Sequence, residues 1–149
     1  MSTESDKEVR LSVPADAEYL DTIRLSLYGV AVRMGFSYES IEDLKVAVTE
    51  ACNHALMQLE DGAEVRLLIA YAMNDKALRV RVGAEQGALK FSRAIEDAAP
   101  IEDGGLGGAD ASQLGLFLMQ ALVDEVNVVP ADNGEEEIVL IKYREAQAG

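Results

Sequence analysis

Glu50, Asn53 and His54 lie within five residues of one another on a segment whose apolar residues recur at helical spacing. A carboxylate, a carboxamide and an imidazole on one side of a helix, set among Val46, Ala47 and Met57, make a ligand-facing composition. The same mixture also describes a helix buried on both sides, and the pattern fits the two readings equally. His54 is the only histidine and Cys52 the only cysteine, which excludes a zinc site and an internal disulfide. The run Gly104-Gly105-Leu106-Gly107-Gly108 has the composition of a phosphate-cradling loop, but a glycine-rich run alone is a weak signal and a flexible lid satisfies it as well.

The elements that must position these groups can be read along the chain. Val9, Leu11 and Val13 alternate with polar residues as a first strand that Pro14 ends. Asp16 and Glu18 open a helix whose apolar face is Leu20, Ile23, Leu27, Val30 and Met34, with Gly35 as its C-terminal cap. A second helix starts near Ser37 or Ser40, the latter forming a capping box with Asp43, and carries Ile41, Leu44, Val48, Ala51, Ala55 and Leu59 as its core stripe. Val65–Met73 and Leu78–Val82 alternate as a hairpin joined through 74–77. Residues 83–113 break the pattern, apart from a short helical candidate over Phe91–Ala98, and a lid-like loop is expected at 88–113. A third helix is expected from near Gly115 through Val126, followed by strands at Asn127–Val129 and Ile138–Tyr143. This order predicts an α/β, two-layer α+β sandwich: one mixed, mainly antiparallel sheet with its helices on one face, in a single domain over 1–149.

The chain has 149 residues, about half of them apolar, and a formal net charge of −14. Such an acidic surface repels phosphate backbones, which argues against direct nucleic-acid binding, and it suits a partner with a basic patch. Met1–Arg10 is polar and charged rather than signal-like, and no apolar run approaches the roughly 20 residues that span a bilayer. A cytoplasmic protein with no membrane association is expected.

Several segments together carry a family resemblance. Ile23-Arg24-Leu25-Ser26-Leu27, Arg33-Met34-Gly35, Ile41-Glu42-Asp43-Leu44-Lys45 and Glu50-Ala51-Cys52 are followed by Leu114-Gly115-Leu116-Phe117-Leu118-Met119, Asp124-Glu125-Val126 and Lys142-Tyr143. In this order they resemble the RsbW-type and SpoIIAB-type anti-sigma factors, serine-protein kinases of the GHKL ATPase superfamily. The resemblance implies the GHKL fold, ATP and magnesium as cofactors, and two partners: a sigma factor and an anti-anti-sigma antagonist that is phosphorylated on serine. It also implies a homodimer formed through the first-strand and first-helix region.

Carried over residue by residue, the resemblance makes Glu50 the carboxylate that orients or deprotonates the attacking hydroxyl. The family's magnesium-ligating Asn falls at His54, with Asn53 one step earlier and about 100° away around the helix. Magnesium prefers oxygen ligands, and imidazole suits softer ions. The adenine-facing Asp falls at Ala84, in the stretch that continues through Glu85 to Gly87; neighbouring strand residues point to opposite faces, so Glu85 is not a simple replacement. Leu114, Gly115 and Leu116 stand where the glycine-rich lid enters the third helix, but Ser112-Gln113 replaces the expected glycines. The run Glu135-Glu136-Glu137 replaces the usual Gly and Thr before the last strand; Glu137 would repel phosphates if it faced the pocket. On the first helix Arg24 matches the arginine that contacts sigma factor and antagonist in turn, a role suited to its planar fork. The leading expectation is therefore a partner-switching anti-sigma factor with a degraded nucleotide site. An active serine kinase of the same family, and a signalling subunit that binds a protein other than a sigma factor, are the alternatives.

Overall fold

The structure, a computed structural model, describes residues 7–59, 64–85, 111–130 and 135–145, and among these described residues alternation and helical spacing translate into five strands and three α-helices. In chain order these are β1 (Lys7–Pro14), a 3-10 turn (Ala17–Tyr19), α1 (Leu20–Arg33), α2 (Tyr38–Gln58), β2 (Arg66–Met73), β3 (Ala77–Ala84), α3 (Ala111–Leu122), β4 (Glu125–Pro130) and β5 (Glu136–Tyr143). The sheet order is β1-β2-β3-β5-β4. Among the described residues all four ladders are antiparallel, in keeping with the expected mainly antiparallel sheet, and none is parallel. The connection through α3 delivers β4 to the far edge of the described sheet, where it pairs with β5. None of the described helices is long and apolar enough to cross a membrane.

One face of the sheet carries the core. Leu67, Ile69 and Tyr71 of β2, Val80 and Val82 of β3, and Ile138 and Leu140 of β5 are buried with Ile23, Leu27, Leu44, Val48 and Met119 from the helices. Full burial of each such side chain contributes about 1.5–3 kcal/mol. Tyr71 is completely buried, yet its hydroxyl lies 2.6 Å from Ser26 Oγ and 3.2 Å from the Ile23 carbonyl, so β2 is tied to α1 by hydrogen bonds as well as by packing. Burial pushes the Tyr71 phenol up to about 12.

The helix ends follow local chemistry. Gly35 adopts φ 83°, and the N–H groups of Gly35 and Phe36 donate to the carbonyls of Val32 and Ala31. This is the double bond of a Schellman stop, with Phe36 buried beside it. The start of α2 differs from the Ser40–Asp43 box. Ser37 is the N-cap, its Oγ accepting from Ser40 N at 3.1 Å, while Glu145 Oε1 accepts the Ser37 N–H at 3.0 Å from 108 positions away. Hydrogen bonds from Ser37 and Ser40 hold the Glu145 carboxyl below its usual range. Asp16 caps the 3-10 turn by accepting from Glu18 N, so α1 proper begins later, at Leu20.

α3 also departs from expectation. It begins at Ala111 rather than near Gly115 and ends at Leu122, leaving Val126 in β4 opposite Leu140. Lys142 Nζ donates to the Leu122 carbonyl, and Asp124 bonds to Ile141 O and Tyr143 N. These contacts stop the helix and turn the chain into the sheet. The Phe91–Ala98 helix, the Gly104–Gly108 run, Gly87 and most of the expected 88–113 lid lie outside the described residues.

Candidate nucleotide site and partner face

α2 has the helical period throughout, but its surroundings divide it. Ile41, Leu44, Ala47, Val48, Ala51, Cys52 and Ala55 are buried, so the doubly buried reading holds for Ala47. Glu50, Asn53 and His54 instead line a cavity of about 460 Å3 with Met57, Leu56, Ala17 and Leu116. The structure thus unites Glu50, His54 and Leu116 with Asn53, although Asn53 and His54 are about 100° apart on the helix. Cys52, next to these residues, is fully buried; desolvation raises its thiol to about 12, and it is no nucleophile. A larger concavity, about 880 Å3, lies on the open face of the sheet among Arg79, Arg81, Val139 and Ile141 and contains none of the candidate residues.

Gly115 meets Glu50 directly. A Cβ at Gly115 would lie 2.5 Å from Glu50 Oε2 and 3.0 Å from its Cδ. Glycine inside a helix costs about 1 kcal/mol relative to alanine, and here it leaves room for the carboxylate. Gly115→Ala is therefore expected to keep the melting temperature within a few degrees, since helix propensity offsets the clash with a flexible side-chain end, while driving Glu50 to a new rotamer. Thermal melts and the Glu50 carboxyl resonance in carbon NMR check both halves; an unmoved resonance would mean that the contact does not constrain Glu50.

Other candidates lie elsewhere. Leu114 is half-buried in α3 and does not line the cavity. Ala84 pairs in register with Leu67, on the helix-bearing face. Glu85 follows it onto the other face, where its Oε1 accepts from Ser12 Oγ at 3.3 Å; it is not brought to Glu50. Glu137 also faces away from the helices: it packs over Gly83 and lies 3.9 Å from the Arg81 guanidinium, so its charge does not enter the cavity.

Burial lowers the His54 pKa, which keeps the imidazole neutral at pH 7. A neutral imidazole ligates soft and borderline ions, not the hard, oxygen-seeking magnesium ion. Among the described residues, no group of three His, Cys, Asp or Glu side chains is placed to hold a metal. Among the described residues, the oxygen donors that the cavity offers magnesium are the Glu50 carboxylate and the Asn53 carboxamide, and Ala84 brings no carboxylate to the strand end on the cavity's side of the sheet. Among the described residues, this donor set differs from the one the resemblance implies for a magnesium-nucleotide at positions 54 and 84.

Arg24 sits on the neighbouring helix. Its Nε donates to Thr49 Oγ1 at 3.0 Å and its Nη1 to Asp21 Oδ1 at 2.5 Å, with about a third of the side chain exposed. A cleft of about 340 Å3 between α1 and α2 is lined by Arg24, Glu42, Lys45, Val46, Thr49 and Glu50. Thr49 was not among the candidates read from the sequence; a threonine in a helix carries no signal of a partner on another helix.

The profile of the histidine kinase-like ATPase domain matches residues 13–142. A serine-protein kinase RsbW from Bacillus pumilus is 38% identical over 132 residues, covering 80% of this chain and 76% of that protein. One from Listeria innocua is 38% identical over 152 residues, covering 96% and 90%. Among solved structures, a Mycobacterium tuberculosis protein with RsbU and RsbW domains superposes with a TM-score of 0.60 at 19% identity, over 95% of this chain and 34% of that longer one, which supports the fold. With the profile spanning most of the chain and relatives this similar over most of their own length, the chain belongs to the histidine kinase-like ATPase family and, within it, to the RsbW type.

Proposed function

We propose that this protein is a partner-switching anti-sigma factor that works by binding proteins and whose nucleotide site is weakened. The observation that carries the reading is the outer face of α1. Asp21, Arg24, Leu25, Tyr28 and Val32 fall within about 100° of arc, and Leu25 (72% exposed), Tyr28 (47%) and Val32 (49%) leave large apolar side chains in solvent beside an arginine fork. An apolar patch with an arginine at its edge has the composition of a protein-docking face. Sigma factor and antagonist are the partners inferred for it. A homodimer through the first-strand and first-helix region, where Val9 is also exposed, is part of the same reading.

His54, Ala84 and the outward-facing Glu85 support weak binding of ATP and magnesium. Calorimetry with ATP and magnesium, paired with a phosphorylation assay on the native host's antagonist, tests this. No heat at micromolar nucleotide and no phosphoserine are expected. Micromolar binding with turnover would establish instead an active serine kinase using Glu50, the alternative that the RsbW relatives favour.

A further inference from the structure

The structure assigns Thr49 a role in docking: it is the positioning residue that aims Arg24 toward the cleft leading to Glu50. An exposed arginine is long and flexible, and a partner that has to order it loses affinity. Here the order is built in. The Thr49 hydroxyl donates to the Lys45 carbonyl at 2.6 Å, which directs its remaining lone pairs at Arg24, whose Nε–H it accepts at 3.0 Å. Asp21 takes Nη1. Two edges of the guanidinium are thereby held, and Nη2 is left for a carboxylate on the incoming protein.

The placement of Thr49 gives the contact its consequence. It immediately precedes Glu50 on α2, so the arginine of one helix is pinned to the turn of another that carries the candidate base. Arg24 and Glu50 border the same cleft, with Lys45, Val46 and Thr49 between them. A partner segment that meets Arg24 through an acidic residue is delivered along this cleft in fixed register with Glu50. The inference rests on the reading of Arg24 as a docking residue.

Two measurements on the full chain test it. In nitrogen-15 NMR, the Arg24 Nε–H signal, assigned by its loss in Arg24→Lys, is expected to be dispersed and slow to exchange in the wild type and in Thr49→Ser. In Thr49→Val and Thr49→Ala it is expected to move to the solvent-exposed position. Calorimetry with the purified antagonist of the native host is expected to show binding weakened about 5- to 10-fold in both hydroxyl-free variants and within about 2-fold of wild type in Thr49→Ser. The Ala variant keeps the test open should Val perturb folding. Wild-type affinity in Thr49→Val and Thr49→Ala, or equal weakening in Thr49→Ser, overturns the role of the hydroxyl. If Arg24→Glu also binds normally, the docking reading itself fails; if Arg24→Glu abolishes binding while the Thr49 variants bind normally, only the positioning role fails.

Discussion

Arg24→Glu is expected to weaken capture of sigma factor and antagonist by at least about 100-fold while leaving the fold intact. Removing one member of a bonded interfacial charge pair costs about 2–5 kcal/mol, and reversing the sign adds repulsion against the partner's carboxylate. Neither contact of Arg24 within the chain holds the core: Thr49 keeps its bond to the Lys45 carbonyl, and Asp21 is 87% exposed. The new glutamate would stand three residues from Asp21 on α1, a like-charge pair that costs only about 0.2–0.5 kcal/mol. Circular dichroism and thermal melts should therefore match the wild type, and calorimetry or pull-down with purified partners should show the loss. Undiminished capture would move the docking site off this face of α1 and take the positioning role of Thr49 with it.

Local rules made most of the framework legible. Gly35 stops α1 because its positive φ suits a residue without Cβ, and the alternation in β2, β3 and β5 fixes which side chains meet the helices. Long-range contacts were not legible. Asp43 stood at the right spacing from Ser40 for a capping box, but the carboxylate that completes the α2 cap is Glu145, brought there by the end of the sheet. Val126 continued the apolar spacing of α3, yet Lys142 and Asp124 end that helix first. The site shows the same division. Spacing along α2 put Glu50, Asn53 and His54 on one side, where they line one cavity, and strand parity separated Glu85 from Ala84. The contact of Glu50 with Gly115 and the bond of Arg24 to Thr49 join residues on different elements, and no pattern within either element reveals them.

If the side chains at positions 54 and 84 are what weaken the nucleotide site, two substitutions should restore it. His54→Asn with Ala84→Asp is expected to bind ATP in the presence of magnesium about 100-fold more tightly than the wild type. The first change puts a carboxamide oxygen one helical turn from Glu50, where the cavity now has an imidazole, and oxygen is the donor that magnesium requires. The second supplies a carboxylate for the adenine amino group on the helix-bearing face of β3, a charge-assisted bond of about 2 kcal/mol or roughly 30-fold. Without ligand, a half-buried carboxylate introduced at Ala84 should lower stability by about 1–2 kcal/mol, so the double variant should melt below the wild type alone and rise with nucleotide. The wild type, by contrast, should gain little from the same nucleotide. The His54 change also has its own signature. Because burial lowers the His54 pKa in the folded chain, the unfolded chain takes up its proton first as pH falls, so the histidine's contribution is present above about pH 6.5 and is lost below it. The single His54→Asn variant should therefore lose less stability than the wild type between pH 7 and 5 in urea melts. Failure of the double variant to bind nucleotide, with that pH difference present, would place the defect at the entry to α3, where Glu50 already lies against Gly115.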